Sequence, residues 1–473
     1  MNSNTILQEA IEDQDDDQDD DIEFMLLLFV VQAAQICIQQ GTQALRTILD
    51  DHIREQRRLV RALPVKKRRP TWDHFSSQLS EVHFRRMFRM TLPAFTVLCS
   101  LIRSSIGKEN FRSEWQYPQE ENVTTPTIPG EIKVAVSICM LAGGSYLDLG
   151  PLFNIATSYL YEIFDDFIAW ILKTLQFPLA KWLREKDWSP LLQRANEFAE
   201  KSGGIFYGPL GALDGLAVRI RCPWLSEVPD PGNYYCRKGF YALNVQAICD
   251  KSKRFLWCYP SNKGSTHDSA AFASSRLYEL LKEVAEDLHR MGLFIAADSA
   301  YTLASFTITP YDSDQTGRDD QHRKDAFNYH LSSCRIFIEC AFGELVMRWG
   351  ILWRTLAFDL KKSAKIVQVC MLLHNFIVDS REDDQAFFRN FNIRMDRIQQ
   401  EITRQTGEIP RPLVTDNNEP LIRGRPTNNE QRLRSLALET RHRLTVSLAV
   451  NDMLRPMEHD MHYNQYGHIY ITS

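Results

Sequence analysis

Apolar residues along this chain follow two different spacings. Between residues 71 and 176 they recur every three or four positions, as amphipathic helices require. Phe84, Met87, Phe88, Phe95 and Leu98 are the candidate core of a helical stretch over 71–107. A polar, proline-bearing run over 108–130 reads as a linker. A helix is expected over 131–142, stopped by Gly143-Gly144. A short second helix follows, and a third, capped by Thr157 or Ser158, extends to Leu172. Three helices in this order outline a helix-turn-helix-like unit. Past residue 205 the pattern changes. Residues 211–221, 241–250 and 254–259 are apolar and β-branched, and read as successive strands. A helix over 268–291 carries Leu277, Leu280, Leu281, Val284 and Leu288 on one face. A buried strand over 293–297 comes next, then an exposed charged loop over 312–324 and helices over 331–348 and 360–378.

Charge is unevenly distributed. The net charge of −5 argues against a nucleic-acid partner until nine acids between Glu12 and Glu23 are set aside, which leaves the remainder net positive. Residues 1–23 therefore read as a disordered acidic tail whose simplest role is to solvate. Residues 24–70 read as a helical segment with a basic linker. Arg54, Arg57, Arg58 and Arg61 share a helix face, Pro64 ends that helix, and Lys66-Lys67-Arg68-Arg69 follows. Such a run can serve nuclear import or phosphate binding, with a solvated linker as the alternative. Residues 381–473 hold Arg404, Arg411, Arg423, Arg425, Arg432, Arg434, Arg441 and Arg443. They read as a DNA-contacting arm or a partly irregular basic tail. The ten cysteines form no Cys-x-x-Cys pair, which suits buried thiols in a reducing compartment and indicates no zinc ribbon. The apolar stretch over 24–38 is shorter than a membrane span and follows acids, so neither a membrane segment nor an export signal is expected.

Three islands hold a carboxylate in an apolar setting. They are Gly-Ala-Leu-Asp-Gly at Asp214, Phe-Ile-Ala-Ala-Asp-Ser-Ala-Tyr at Asp298, and Arg-Ile-Phe-Ile-Glu-Cys-Ala-Phe-Gly at Glu339. A buried, unpaired carboxylate is costly. A hard divalent cation, which takes oxygen ligands, gives a reason to keep it. Each acid alone also has a plain reading: Asp214 as a turn residue, Asp298 as a cap, Glu339 as the partner of Arg335 one turn back on its helix. The flanking Gly215 leaves room for a metal-bound phosphate, and Gly343 permits close approach of the helix to the sheet.

The islands and what lies between them resemble the Asp-Asp-Glu catalytic core of Harbinger-type transposases and their domesticated nuclease relatives. The shared features include the Arg237-Lys238-Gly239 strand, the turn from Gly264 through His267, Asp268 and Ser269, Thr309-Pro310-Tyr311, Phe327-Asn328-Tyr329-His330 and Leu373-His374-Asn375-Phe376. The similarity runs from about Phe84 to Ser380. In one departure, Leu216 and Ala217 stand where that family usually carries Thr-His. The order of strands, helix, strand and helix is that of an α/β, RNase H-like domain, a mixed sheet flanked by helices. The resemblance implies the same fold over 205–380, preceded by an all-helical domain over 71–204.

The resemblance also implies a site and a chemistry. Asp214, Asp298 and Glu339 would be the catalytic, metal-binding acids, served by Mg²⁺ or Mn²⁺. Two such ions, roughly 3.5–4 Å apart, can hold both the attacking and the leaving oxygen of a phosphodiester. His267 and Asp268 are candidates for orienting a ligand or the scissile phosphate, with capping of the next helix as the alternative for Asp268. Arg237, Lys238 and Lys263 are candidate phosphate contacts, and His374 is expected to pack within a helix. The implied function is a nuclear, metal-dependent DNA endonuclease or transposase acting at terminal inverted repeats. The implied partner is a separately encoded Myb-like DNA-binding protein, and a homo-oligomer is allowed. The third helix of the 131–172 unit carries Glu162, Asp165 and Asp166 and no Lys or Arg before Lys173, so packing or dimerisation is expected of it rather than groove reading. Two alternatives stand beside this: a catalytically silent scaffold that binds DNA or protein, and an RNase H-type ribonuclease.

Overall fold

The computed structural model describes Asp51, residues 71–107, Phe111, and residues 128–312, 320–380, 427–453 and 455. The expectations for 1–23, for the helix and basic linker over 24–70, for most of 108–130, for 313–319 and for 381–426 fall outside the described residues. The chain divides at Arg68/Arg69, and the unit from Arg69 onward is the one described below.

Its first layer is helical: α1 (Trp72–Ser77), α2 (Glu81–Phe88), α3 (Leu92–Ile106), α4 (Gly130–Leu141), α5 (Tyr146–Phe153) and α6 (Thr157–Thr174). Thr71, Ser80, Thr91 and Ser145 each accept a backbone N–H of the following first turn, which satisfies a donor the helix cannot. The start of α6 differs from expectation. Thr157 is its first residue, and Ala156 stands at the cap without a side-chain hydrogen bond. One face of α6 buries Leu160, Ile163, Phe164, Phe167, Ile168 and Ile171, while Glu162, Asp165 and Asp166 are exposed. Packing therefore accounts for the apolar positions of this helix.

The second half is a six-stranded mixed sheet: β1 (Pro209–Arg219), β2 (Tyr235–Cys236), β3 (Phe240–Cys249), β4 (Phe255–Lys263), β5 (Phe294–Ala296) and β6 (Thr307–Ile308). The order is β2-β3-β1-β5-β6, and β4 also pairs with β3. β1, β3 and β4 form an antiparallel meander, while β5 and β6 continue parallel to β1. That arrangement is RNase H-like. The helix expected over 268–291 is three short ones, α9 (Asp268–Ala273), α10 (Arg276–Glu283) and α11 (Ala285–Arg290). Ser275 caps a fresh start by accepting from Tyr278 N, and Val284 leaves helical geometry. α12 (Gln321–Arg348) begins well before residue 331, because Ala326, Phe327 and His330 extend its buried face. α13 (Leu360–Asp379) matches its expectation and is capped by Asp359.

The two layers share a core. One apolar cluster runs from Phe84, Phe95 and Ile163 to Leu216, Val245, Ile338 and Ile366. Across its seam, a Cβ on Gly350 would lie 2.5 Å from the Ala142 carbonyl oxygen, so the two backbones touch where α12 ends. Lys362 on α13 pairs with Asp165 on α6 at 2.6 Å. The opposite face of the sheet is covered by α7 (Leu179–Glu185) and α8 (Ser189–Ala199), whose Leu179, Leu183, Leu191 and Ala195 join Leu210, Leu213 and Ile248. α13 clamps β4 through Asn375, whose side chain accepts from Phe255 N and donates to Phe255 O, both at 2.7 Å. His374 bonds the Lys253 carbonyl at 3.0 Å from a fully buried position, so it packs as expected.

The described part of the basic C-terminal region is a helix, α14 (Asn428–Val450), opened by a Thr427–Glu430 capping box. One of the arginines read as a DNA arm turns inward. Arg441 is buried and donates to Thr309 O at 2.9 Å, to Thr309 Oγ1 at 3.0 Å and to Pro310 O. Arg432 stays exposed and pairs on the surface with Glu286 at 2.6 Å. All nine described cysteines are free. No described helix is long and apolar enough to cross a membrane.

Candidate active site

The sheet register sets two of the three acids side by side, and an arginine links the second of them to the third. Ala212 in β1 pairs with Ala296 in β5, so two residues further on Asp214 and Asp298 stand side by side where the parallel pair ends. In open sheets this is where ligand chemistry gathers. α12 packs against β1 and carries Glu339 to the same end, with Arg335 one turn before it.

Asp214 is 2% exposed. Its Oδ1 accepts from Gly215 N at 2.8 Å, while its Oδ2 is buried without a hydrogen-bond partner. Burial pushes its carboxyl well above the usual range; Arg335 opposes the rise, and Asp298 and Asp268 add to it. Asp298 Oδ1 accepts from Ala300 N at 3.0 Å. Burial raises its carboxyl too, against the pull of Arg335. The Arg335 guanidinium stands 3.7 Å from Asp298 Oδ2 and 3.8 Å from Glu339 Oε1. The pairing of Arg335 with Glu339 is thus real, and it does not compete with the acid site but forms part of it.

A second tier lies behind β1. His267, not Asp268, caps α9, accepting from Ser269 N through Nδ1. Asp268 turns its carboxylate toward the acids: Oδ1 accepts from Asn244 Nδ2 at 2.8 Å and Gln246 Nε2 at 2.7 Å. Gln246 in turn accepts from the Tyr301 hydroxyl at 2.6 Å. Tyr301 is buried, which raises its hydroxyl, and the Asp268, Asp214 and Asp298 charges raise it further. Gly215 makes room for this tier. A Cβ there would overlap Asp268 Oδ1 and lie 2.8 Å from Gln246 Nε2. Gly343 does not bring the helix close to the sheet either, since a Cβ on it would meet nothing within 4 Å. Leu216, two positions along the Asp214 side of β1, is buried in the shared core. Ala217 lies on the Gly215 side, opposite Asn244.

The candidate phosphate contacts lie further out. Lys263 is exposed and lies two strands across from β1, aligned through Leu243 with Val218, which is itself about 13 Å along β1 from Asp214. Arg237 and Lys238 sit in the tight turn between β2 and β3, Arg237 exposed and Lys238 half-buried. Sequence reasoning missed Asn244, Gln246 and Tyr301. The available signal was two polar residues alternating on one face of an otherwise apolar strand.

The donor chemistry fits a hard divalent cation. Asp214 offers a buried oxygen with no partner, close to the charges of Asp298 and Asp268. Among the described residues, however, no group of three or more His, Cys, Asp or Glu side chains is drawn together closely enough to hold an ion. Arg335 supplies the positive charge between two of the three acids.

Comparison with known proteins agrees with this architecture. Residues 213–375, from beside Asp214 to the Asn375 clamp, match the family described as DDE superfamily endonuclease. A protein of Arabidopsis thaliana named ALP1-like is 22% identical over 371 residues, covering 73% of this chain and 84% of that protein. A second Arabidopsis thaliana relative, Antagonist of Like Heterochromatin Protein 1, is 26% identical over 63% of this chain and 73% of its own length. HARBI1 of Xenopus laevis is 28% identical over 174 residues, 36% of this chain and 46% of that protein. No solved structure matches at a significant level.

Proposed function

We propose, on the premise that residues 213–375, which match the family described as DDE superfamily endonuclease, form such a domain, that this chain is a divalent-metal-dependent DNA endonuclease of the Harbinger-like transposase type. Its substrate would be duplex DNA at the terminal inverted repeats of a mobile element. The observation that carries the reading is Asp214 placed beside Asp298 at the end of the β1–β5 pair, with Arg335 between Asp298 and Glu339.

Asp214, Asp298 and Glu339 would hold the cation. When bound, Mg²⁺ or Mn²⁺ supplies an activated water and neutralises charge at attacking and leaving oxygens, by one ion or two. The remaining work belongs to the chain. Asp214 presents an unbonded carboxylate oxygen from a rigid central strand. Asn244, Gln246 and Tyr301 hold Asp268 beside it, which keeps a second negative charge close and fixes the shape of the pocket wall. Arg335 balances the acids until a cation arrives and is then available to the phosphate. No covalent enzyme nucleophile is required.

The acidic exposed face of α6 offers no phosphate contacts. A Myb-like partner that selects the DNA site, in the nucleus, therefore belongs to the same proposal. The decisive assay incubates the chain, alone and with such a partner, with repeat-ended DNA and Mg²⁺ or Mn²⁺, and compares Asp214→Ala. Cleavage that needs metal and disappears in the variant supports the proposal. A preference for RNA–DNA hybrids would instead indicate a ribonuclease.

One observation favours a second reading. Arg335 already neutralises Asp298 and Glu339, and Leu216 and Ala217 bring no polar side chain to Asp214. A catalytically silent scaffold that binds DNA or protein would keep this arrangement. In the same assay it binds DNA and leaves it uncut at every metal concentration.

A further inference from the structure

β1 carries an ordered series of residues on the side away from Glu339. Gly215, Ala217, Arg219 and Arg221 alternate along that side, because side chains on a strand repeat every second position. The strand stays extended through Arg221, whose N–H bonds the Leu356 carbonyl at 3.0 Å. Next to the acids the series is small and partly exposed. Further out each arginine is matched with an aromatic ring. The Arg219 guanidinium lies 4.3 Å from the centre of Phe240, and that of Arg221 lies 5.3 Å from Trp224. Arg219 is exposed, and Trp224 is 65% exposed despite being the largest kind of apolar side chain.

Trp224 is held out rather than left loose. Glu227 pairs with Arg221 at 2.5 Å and accepts from Trp224 N at 3.0 Å, while Glu227 N and Val228 N both bond the Trp224 carbonyl. One carboxylate therefore holds both the Arg221 guanidinium and the backbone of Trp224. Arg237 lies at the same end, in the turn beside the Cys236–Phe240 pair. From Asp214 to Arg221 the strand spans about 23 Å, the length of several stacked nucleotides.

We propose that this side of β1 is a track for single-stranded nucleic acid leading away from the acids, with a phosphate at the exposed Arg219 and an unpaired base stacked on the exposed Trp224. An exposed ring set among cations is the chemistry of single-strand binding, since every base has a face to stack and the backbone follows the positive charge. A duplex keeps its bases stacked on each other and cannot use the ring. The track rests on the nuclease reading only for its direction toward Asp214.

The test is anisotropy of a labelled 20-nucleotide single strand and its duplex, in EDTA, so that nothing is cut. The full chain is compared with Arg219→Ala, Trp224→Ala and a control, Arg290→Ala, whose exposed side chain lies on α11. Circular dichroism confirms that each is folded. The expected result is about a tenfold weaker single-strand complex for each track variant, a smaller effect on duplex, and no change for the control. The proposal is overturned if the wild-type chain fails to bind the single strand, if the track variants bind as wild type, or if single strand and duplex weaken alike. A chain that shows the expected binding pattern here, yet leaves repeat-ended DNA uncut when Mg²⁺ or Mn²⁺ is supplied in the separate cleavage assay, overturns the nuclease reading and leaves the track standing.

Discussion

Arg335 stands 3.7 Å from Asp298 and reaches Glu339, one turn along its own helix, at 3.8 Å. It is the cation of a site built from carboxylates. Removing it leaves like charges facing one another in a poorly solvated place. Arg335→Ala is expected to lose about 1–3 kcal/mol of stability in EDTA and to recover more of it than wild type gains when Mn²⁺ is added. Thermal melts of both proteins across a metal titration check this. Equal metal-induced shifts would mean that Arg335 and the cation do not share a role.

Gly215 has no space for a side chain, because Asp268 and Gln246 fill it. Gly215→Ala is expected to destabilise the fold by about 1–3 kcal/mol through overpacking. It should displace Asp268 and lower any cleavage rate. Urea unfolding gives the first quantity, and a shifted midpoint with an unchanged slope is the expected form.

His374 gives the fold a pH dependence of known sign. Burial lowers its imidazole from 6.5 to about 3, so the folded chain keeps it neutral where the unfolded chain protonates it. A depressed folded value gives stability that is present above the ordinary one and is lost as pH falls toward the folded one. Between pH 7 and pH 5 the loss from this group is about 2 kcal/mol. His374→Gln should show a shallower decline than wild type over that interval in paired denaturation curves.

Arg441 ties α14 to the end of β6 by donating to Thr309 and Pro310. Arg441→Ala strands those buried carbonyl groups and should cost about 2–4 kcal/mol. Hydrogen exchange at residues 307–311 and proteolysis within α14 should both accelerate, while protection in β1 and β3 changes little.

How much of this was legible in the sequence depended on how local the cause was. β1, β3, β4 and α13 follow from apolar runs and their bounding residues, and structure and expectation differ there by a few positions. The acids were found because three carboxylates in apolar islands are conspicuous. The second tier was not, because Asn244, Gln246 and Tyr301 converge only once β3 is paired and β5 is placed. The breaks within 268–291 depend on Ser275 competing for the helix backbone, which the leucine spacing hides. The start of α12 was obscured by charge, although Phe327 and His330 bury its first turns. The inward turn of Arg441 could not be read from composition, which counts an arginine the same way whether it faces carbonyl groups or water.

The measurement that bears most directly on the central claim is cleavage of repeat-ended DNA by the purified chain, with its DNA-binding partner, across a Mg²⁺ and Mn²⁺ titration, set beside Asp214→Ala, Asp298→Ala and Glu339→Ala. The account predicts metal-dependent strand cleavage that each single substitution abolishes while DNA binding persists. Cleavage that survives loss of Asp214, or that proceeds equally in EDTA, would contradict it.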